Sequence, residues 1–155
     1  IKVNPKLEVL NLAGYGIGND ESDTIIKAIN YTQSVKSLNL EENKIDNDGA
    51  KIFAEHLKNN KSIKELFIGG NIVMGDAGIK YIMDALTINN TIKLIDLLGC
   101  QGIGAEGIKY ITDTLKTNQD LTKCIFDNGK IDDEFLNHTL NMIKINSIIT
   151  SIDFD

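Results

Sequence analysis

A glycine string in the second half of the chain has the spacing of a dinucleotide-binding loop. Gly102, Gly104 and Gly107 match the pattern G-x-G-x-x-G, follow an apolar run and precede an amphipathic stretch. In such a loop the glycines let the backbone approach a pyrophosphate, and a carboxylate about 20 residues further on, here Asp127, binds the ribose. The motif alone would therefore indicate a nucleotide site.

The same glycine spacing occurs one interval earlier in the chain. Gly75 and Gly78 stand 29 residues before Gly104 and Gly107. Glycines that recur at a fixed interval indicate a backbone feature of a structural repeat rather than a single ligand site. We therefore predict no cofactor, and a nucleotide-binding enzyme is kept only as an alternative.

Thiols and imidazoles are too scattered for nucleophilic or metal chemistry. The two cysteines, Cys100 and Cys124, have neither metal-ligand spacing nor the pattern of a disulfide framework. The two histidines, His56 and His138, lie far apart, and we expect neither to have a carboxylate and a nucleophile around it. We predict no catalytic residue, no metal and no enzymatic activity.

The charge composition disfavours several classes of partner. The net charge is −6, and every basic residue except the histidines is lysine. Arginine supplies most bidentate contacts to phosphate and guanine, so we expect no nucleic-acid binding. No apolar stretch is long enough to cross a bilayer, and we expect no membrane partner. Two free thiols and no visible secretory leader favour the cytoplasm over secretion.

Six apolar runs divide the chain into regular units. In each run the apolar positions fall at offsets 0, 3 and 5, as in Ile63, Leu66 and Ile68. Two inward positions separated by one outward position indicate a short strand with one buried face. The runs begin, 28 or 29 residues apart, at Leu7, Val35, Ile63, Ile92, Leu121 and Ile149.

A helical pattern follows each of the first five strands, with apolar or small residues at i, i+3, i+4 and i+7. Five sets share this spacing: Ser22, Ile25, Ile26, Ile29; Ala50, Phe53, Ala54, Leu57; Ile79, Ile82, Met83, Leu86; Ile108, Ile111, Thr112, Leu115; and Leu136, Thr139, Leu140, Ile143. We expect N-caps at Asn19, Asn47, Asp76 and Asp133. Ala105 occupies this slot in the fourth repeat, whose helix we expect to begin less sharply.

These units resemble leucine-rich repeats of the ribonuclease-inhibitor type, Leu-x-x-Leu-x-Leu-x-x-Asn/Cys-x-Leu followed by Gly-Asp-x-Gly and a helix. The resemblance covers roughly residues 7–155, and the first and fifth repeats depart from the Asn/Cys position with Tyr15 and Gly129. Where Cys100 fills that position, the resemblance implies an inward side chain that satisfies loop backbone groups. The third repeat matches most fully, with Leu66, Ile68, Asn71, Met74, Gly75, Asp76 and Gly78.

The resemblance implies an α/β solenoid with a parallel β-sheet on the concave face and α-helices on the convex face. We expect one leucine-rich-repeat domain over residues 1–155, with about five full repeats and a final strand, as part of a longer chain. An uncovered end of such a stack could also pair with a second copy, so self-association through the solenoid ends is an alternative.

The outward strand positions offer a candidate binding surface. Phe67, Leu94, Leu98 and Ile125 form an apolar cluster on adjacent predicted strands where polar residues were available. An apolar anchor inside a charged rim is the usual anatomy of a binding site. We expect acidic residues to rim it at Glu41, Glu65, Asp96 and Asp127, and Lys36, Lys64 and Lys93 to follow one edge.

The family resemblance and this cluster together predict a protein–protein interaction module that binds a partner through its concave face. A regulatory or sensor protein of the same repeat family, such as a GTPase-activating protein, is an alternative, although a chain without arginine cannot supply an arginine finger. Asn-x-Ser/Thr sequons matter only if the chain enters a glycosylating pathway. They occur at Asn30, Asn60, Asn89 and Asn137.

Overall fold

Short parallel strands alternate with helices throughout a computed structural model that describes residues 4–126 and 133–154. The strands are β1 Val9–Asn11, β2 Ser37–Asn39, β3 Glu65–Phe67, β4 Leu94–Leu97, β5 Lys123–Phe126 and β6 Ser151–Phe154. The helices are α1 Asn19–Thr32, α2 Asn47–Leu57, α3 Asp76–Leu86, α4 Ala105–Thr117 and α5 Asp133–Ile145.

The six strands form one open parallel sheet in chain order. The register is one repeat per strand, so that Leu38 pairs with Leu66, Leu66 with Ile95 and Ile95 with Cys124. These four side chains are fully buried and belong to the same core as the apolar faces of the helices. The predicted α/β solenoid and its parallel sheet are confirmed.

Four of the five predicted helix faces are the faces that pack on the sheet. Phe53 in α2 and Ile82 in α3 show the pattern, with almost no exposed surface. In α5 the prediction was wrong by a rotation of the helix. The helix α5 carries apolar residues on two faces, and the buried face is the one with Phe135 and Met142. Its second face lies exposed at Leu136, Leu140 and Ile143.

The predicted N-caps of α1, α2 and α3 were wrong by one residue, and two of these side chains cap a different helix. The residues that precede Asp133 lie outside the described part of the chain, so its N-cap role stays a prediction. α3 begins at Asp76 after Gly75, and α4 begins at Ala105 after Gly104. The Asp76 Oδ1 atom accepts hydrogen bonds from the N–H groups of Gly104 and Gly107, at 2.6 and 3.0 Å. The start of α4 is therefore well capped despite Ala105, since the previous repeat supplies the acceptor.

The same arrangement links the second and third repeats. Asn47 Oδ1 accepts from the N–H groups of Gly75 and Gly78, both at 2.9 Å. A Cβ atom at Gly78 would lie 2.8 Å from that oxygen. At Gly78 and Gly107 a side chain would collide with the capping side chain of the preceding repeat, which explains the glycine at these two positions.

Buried polar side chains close the turns after β2, β3 and β4, as the family resemblance implied for the repeats that keep the Asn/Cys position. Asn71 Oδ1 accepts from the N–H of Ile45, and its amide group donates to the carbonyls of Leu40 and Ile68. Cys100 occupies the equivalent place one repeat later, with its sulfur 3.6 Å from the Ile68 carbonyl oxygen. These contacts tie each strand end to the next repeat and hold the open sheet in register.

A second row of buried amides precedes the strands and was not predicted. Asn89 Oδ1 accepts from the N–H groups of Thr91 and Ile92, while its amide group donates to the carbonyls of Leu57 and Asn60. The signal was visible in the sequence, because an asparagine stands three residues before each of the last four apolar runs. The row consists of Asn60, Asn89, Asn118 and Asn146.

Candidate functional site

The candidate site lies on the face of the sheet that carries no helix, which we call the open face. Strand residues alternate, so Leu66 and Ile95 enter the core while their neighbours point to the open face. The parallel register arranges the outward residues in two rows across the strands. One row is Val9, Ser37, Glu65, Leu94, Lys123 and Ser151. The other is Asn11, Asn39, Phe67, Asp96, Ile125 and Asp153.

Four of the residues proposed for the site lie on, or directly after, three adjacent strands of the sheet. Phe67 on β3 and Ile125 on β5 flank β4, and Leu94 and Leu98 lie two residues to either side of Asp96. All four are half-buried rather than fully exposed. Phe67 and Ile125 each lie one strand away from Asp96, and neighbouring strands lie about 4.8 Å apart. We call Phe67, Leu94, Leu98 and Ile125 the apolar ring.

Asp96 lies inside the apolar ring, not on its rim as the sequence analysis had placed it. It pairs in register with Phe67 on one side and Ile125 on the other. Only 8% of its surface is exposed. The prediction that Asp96 lies on the rim was wrong because the strand register places Asp96 between Phe67 and Ile125.

The Asp96 carboxylate has little compensation for its burial. Its Oδ1 atom accepts one hydrogen bond, from the Leu98 N–H at 2.9 Å. Burial raises the pKa of the Asp96 carboxyl, against a smaller lowering by that hydrogen bond and by Lys123. The Lys123 ammonium is itself bound to Asp153, with 3.1 Å between Nζ and Oδ2. Among the described residues, Asp96 has no cation in direct contact.

The hydrogen bond of Asp96 is a repeated structural device, and other repeats make it without a charge. At the equivalent positions, Asn11 Oδ1 accepts from the Ala13 N–H at 3.0 Å and Asn39 Oδ1 from the Glu41 N–H at 2.8 Å. An asparagine therefore satisfies the turn after the strand. The carboxylate at Asp96 adds a negative charge that this turn does not need.

The remaining residues predicted for the site are distributed around the ring. Glu41 is half-buried and accepts a hydrogen bond from the Asn39 side-chain amide, whereas Glu65 is exposed on β3. Asp127 lies outside the described residues. Lys36 and Lys64 are exposed just before their strands, and Lys93 is paired with Asp120 at 2.7 Å between Nζ and Oδ1.

Two of the amides that the glycine string would offer to a phosphate are already occupied. The N–H groups of Gly104 and Gly107, which would face the ligand at the start of α4, already donate to Asp76. A second negative charge at that place would be repelled by the Asp76 carboxylate. The repeat-based interpretation of the glycines is therefore the one that the contacts support.

Neither cysteine has the surroundings of a reactive thiol. Burial raises the pKa of the Cys100 thiol to about 12, and it raises the pKa of the Cys124 thiol as well. Both side chains are buried and free. A thiolate is the nucleophilic form, so burial and a raised pKa disfavour nucleophilic chemistry at both groups at neutral pH.

One of the two histidines has a carboxylate beside it, but not the carboxylate and nucleophile together that a catalytic group would need. His56 Nε2 lies 3.1 Å from Asp23 Oδ1, and the other oxygen of Asp23 lies 2.6 Å from Lys27 Nζ. The hydrogen bond from Lys27, and to a smaller extent the one with His56, hold the pKa of the Asp23 carboxyl below its usual range. The described residues give the imidazole no bond to a hydroxyl or thiol, so the group is an ion cluster on the helix side.

The described residues contain neither a metal-binding cluster nor a helix suited to a membrane. Within them, no cluster of three or more His, Cys, Asp or Glu side chains could hold a metal ion. No helix in the described part of the chain is both long and apolar enough to pass through a membrane.

Comparison with known families and structures identifies the repeat. A model of the leucine-rich repeat matches residues 32–54, which include β2 and most of α2. The chain folds as a leucine-rich-repeat solenoid. No curated protein sequence matches the chain.

Two solved structures show what the solenoid is similar to. The actin-binding site 2 of leiomodin-1 superposes with a TM-score of 0.79 and 25% identity, over 92% of this chain and 82% of that one. The complex of Rad7 and Elc1 in yeast matches with a TM-score of 0.58 and 18% identity, over 90% of this chain and 36% of that one. The first match is an actin-binding region, and the second, which supports the fold alone, comes from a complex of two proteins.

Proposed function

We propose that the chain is a protein-interaction module of the ribonuclease-inhibitor-like subtype and that it binds a partner across the concave face of its solenoid. The open face of the sheet is that concave face. The apolar ring carries the proposal, because four half-buried apolar residues lie around Asp96 on adjacent strands, at positions outside the buried core. Clustered apolar surface with polar surroundings is typical of a binding site.

The subtype is supported by the length and content of the repeat. A period of 28 or 29 residues with a full helix in each unit distinguishes it from shorter leucine-rich repeats. The turn after the strand uses Asn43, Asn71 and Cys100, and a chain of amide and thiol contacts links one repeat to the next.

Affinity capture with matched variants tests the concave site. Leu94→Glu/Leu98→Glu places two charges in the apolar ring, whereas Ile52→Glu/Ile88→Glu places two charges on exposed positions of the helix side. We expect wild type and the helix-side variant to retain a protein that the ring variant loses, with mass spectrometry as the readout and circular dichroism as the check on folding. Identical captures by all three would reject the concave site.

Actin is the candidate partner that the structural comparison favours. The similarity to leiomodin-1 actin-binding site 2 extends over 92% of this chain at 25% identity. Sedimentation velocity of the chain with monomeric actin should give a complex that Phe67→Glu abolishes. Binding that survives Phe67→Glu would place actin elsewhere on the surface, and absence of binding would remove actin as the partner.

Self-association through an end of the solenoid is a second proposal, and α5, the last helix of the stack, offers a surface for it. The exposed residues Leu136, Leu140 and Ile143 lie at i, i+4 and i+7, which places them on one stripe of the helix. A second copy could cover this stripe. Sedimentation equilibrium should then show a concentration-dependent dimer that Leu140→Glu dissociates, and a monomer at all concentrations would reject the proposal.

For the compartment we propose the cytoplasm, and we propose no catalytic activity. Two buried free thiols suit a reducing environment. The sequons at Asn60 and Asn89 lie on side chains that are 0% and 1% exposed, with their amide nitrogens engaged in hydrogen bonds. A glycan on either nitrogen would disrupt the fold. Fractionation of the source cell with an antibody against the chain tests the compartment.

A further inference from the structure

We infer that Asp96 is the recognition point for a lysine or arginine side chain of the protein partner, inserted into the apolar ring. This inference rests on the proposed concave binding site and specifies the chemistry of its occupant. The occupant is a basic side chain flanked by apolar groups on the partner's surface.

The first step is that Asp96 carries a charge the fold does not use. Asn11 and Asn39 make the same hydrogen bond to the N–H two residues on, as neutral amides. Asp96 makes it with a carboxylate, and the residue as a whole is only 8% exposed and lies between Phe67 and Ile125 of the apolar ring. A buried charge is costly unless it is paired, so a charged group here without a structural task indicates a binding role.

The second step is that no cation within the described chain fills this place. Lys123 is the lysine that acts electrostatically on Asp96, and its ammonium is bound to Asp153 on β6. Lys93, which precedes β4, is bound to Asp120, which precedes β5. The Asp96 carboxylate therefore keeps acceptor capacity for a donor that comes from outside the solenoid.

The third step is complementarity of charge and shape. The net charge of the chain is −6, and Glu41, Glu42 and Glu65 lie on or beside the open face near the ring. A basic partner is attracted to such a surface. Lysine and arginine stems are apolar, so their methylene groups can pack on Phe67 and Leu98 while the charged tip reaches the carboxylate.

Peptides that differ only at one position test the inference directly. Acetyl-Gly-Leu-Lys-Leu-Gly-amide is titrated into the isotopically labelled chain beside versions with norleucine or glutamate in place of lysine. Backbone amide shifts of Phe67, Leu98 and Ile125 report binding at the ring. We expect the lysine peptide to bind at least about tenfold tighter than the norleucine peptide, since a hydrogen bond to a buried charge discriminates by that much or more.

Two variants of identical chemistry separate the charge from the fold. Asp96→Asn keeps the hydrogen bond to Leu98, as Asn39 does for Glu41, and should abolish the preference for lysine. Asp84→Asn removes a carboxylate from the helix side, where Asp84 pairs with Lys80, and should leave the preference unchanged.

Each other outcome counts against the inference in a distinguishable way. Equal affinity for lysine and norleucine peptides, with shifts at the ring, would overturn the role of Asp96 but leave the concave site in place. A preference that persists in Asp96→Asn would assign it to another carboxylate. No shift at the ring with any peptide would overturn the inference and count against the proposed concave site as well.

Discussion

The carboxylate of Asp76, the first residue of α3, caps the helix of the following repeat through Gly107, with 3.0 Å between Oδ1 and the Gly107 nitrogen. The same oxygen lies 2.6 Å from the nitrogen of Gly104. Adjacent repeats are therefore coupled by a charge-assisted contact as well as by packing.

Asp76→Ala should lower the free energy of unfolding by about 1 kcal/mol, because it leaves the first N–H groups of α4 without their acceptor. Asp76→Asn keeps an oxygen at that place and should cost less. Urea denaturation followed by circular dichroism measures both. Equal losses in the two variants would contradict the capping role.

Gly107→Ala should also destabilise the chain, because a Cβ atom there would lie 2.5 Å from Asp76 Oδ1. We expect a loss of about 1–3 kcal/mol in the wild-type background and a smaller loss in the Asp76→Ala background. The coupling free energy of the double-mutant cycle is the measurement. Additive losses would show that the clash is with another neighbour.

Asn89→Ala should be among the most damaging single substitutions. It removes a buried amide that satisfies two carbonyls and two N–H groups, so the expected loss is roughly 2–4 kcal/mol in the free energy of unfolding. The exposed neighbour Asn90 provides the control, and Asn90→Ala should change stability by less than about 0.5 kcal/mol. Thermal and urea unfolding of the Asn89→Ala and Asn90→Ala variants measure the difference. Similar stabilities of the two variants would contradict a structural role for the buried amide row.

Glu42→Gly should stabilise the chain, because Glu42 occupies a turn position that needs the left-handed backbone. Its φ is 54°, while the equivalent Gly14, Gly70 and Gly99 have φ of 74°, 67° and 76°. Relief of this strain offsets the added flexibility of the unfolded chain, so we expect a gain of up to about 1 kcal/mol. A lower melting temperature in Glu42→Gly would show that the Glu42 side chain contributes more than the strain costs.

Most of the fold followed from the 28 or 29 residue period, because strand and helix positions repeat in the sequence. The face of α5 did not, since Phe135 and Leu136 are adjacent apolar residues and local periodicity cannot choose between them. The capping partners also could not be read within one repeat. Asp76 bonds to residues 28 and 31 positions away, which only the stacking brings together.

The members of the apolar ring were predictable, because alternation along a strand determines which side chains face outward. The place of Asp96 was available in the same alignment, where Phe67, Asp96 and Ile125 share one offset. Its burial was not, since burial depends on how far the neighbouring apolar side chains close over it.

Asp96→Asn should stabilise the chain at neutral pH by an amount that disappears in acid. Burial raises the pKa of the folded-state carboxyl above the unfolded value, so the contribution of Asp96 is fully present below the unfolded pKa and is lost as pH rises through the folded pKa. Lys123 and Asp153 also face this carboxyl, and they are unchanged in both proteins. The difference between wild type and variant in urea unfolding, measured from pH 3 to 7, checks the sign.

The outcome for Asp96→Asn bears on function as well as stability. A residue that weakens the fold yet is needed for lysine-peptide binding would show the trade-off expected of a binding site. A variant that is less stable at neutral pH would instead mean that the carboxylate supports the sheet.

The most direct test of the account is a titration of the captured partner, or of actin, against alanine truncations on both sides of the solenoid. We expect Phe67→Ala and Leu98→Ala each to raise the dissociation constant about tenfold or more, because both residues are proposed to lie at the centre of the interface. Ile52→Ala and Ile88→Ala, on the helix side, should change it less than about twofold. Loss of affinity in the helix-side variants, with the ring variants binding as wild type does, would contradict the concave site.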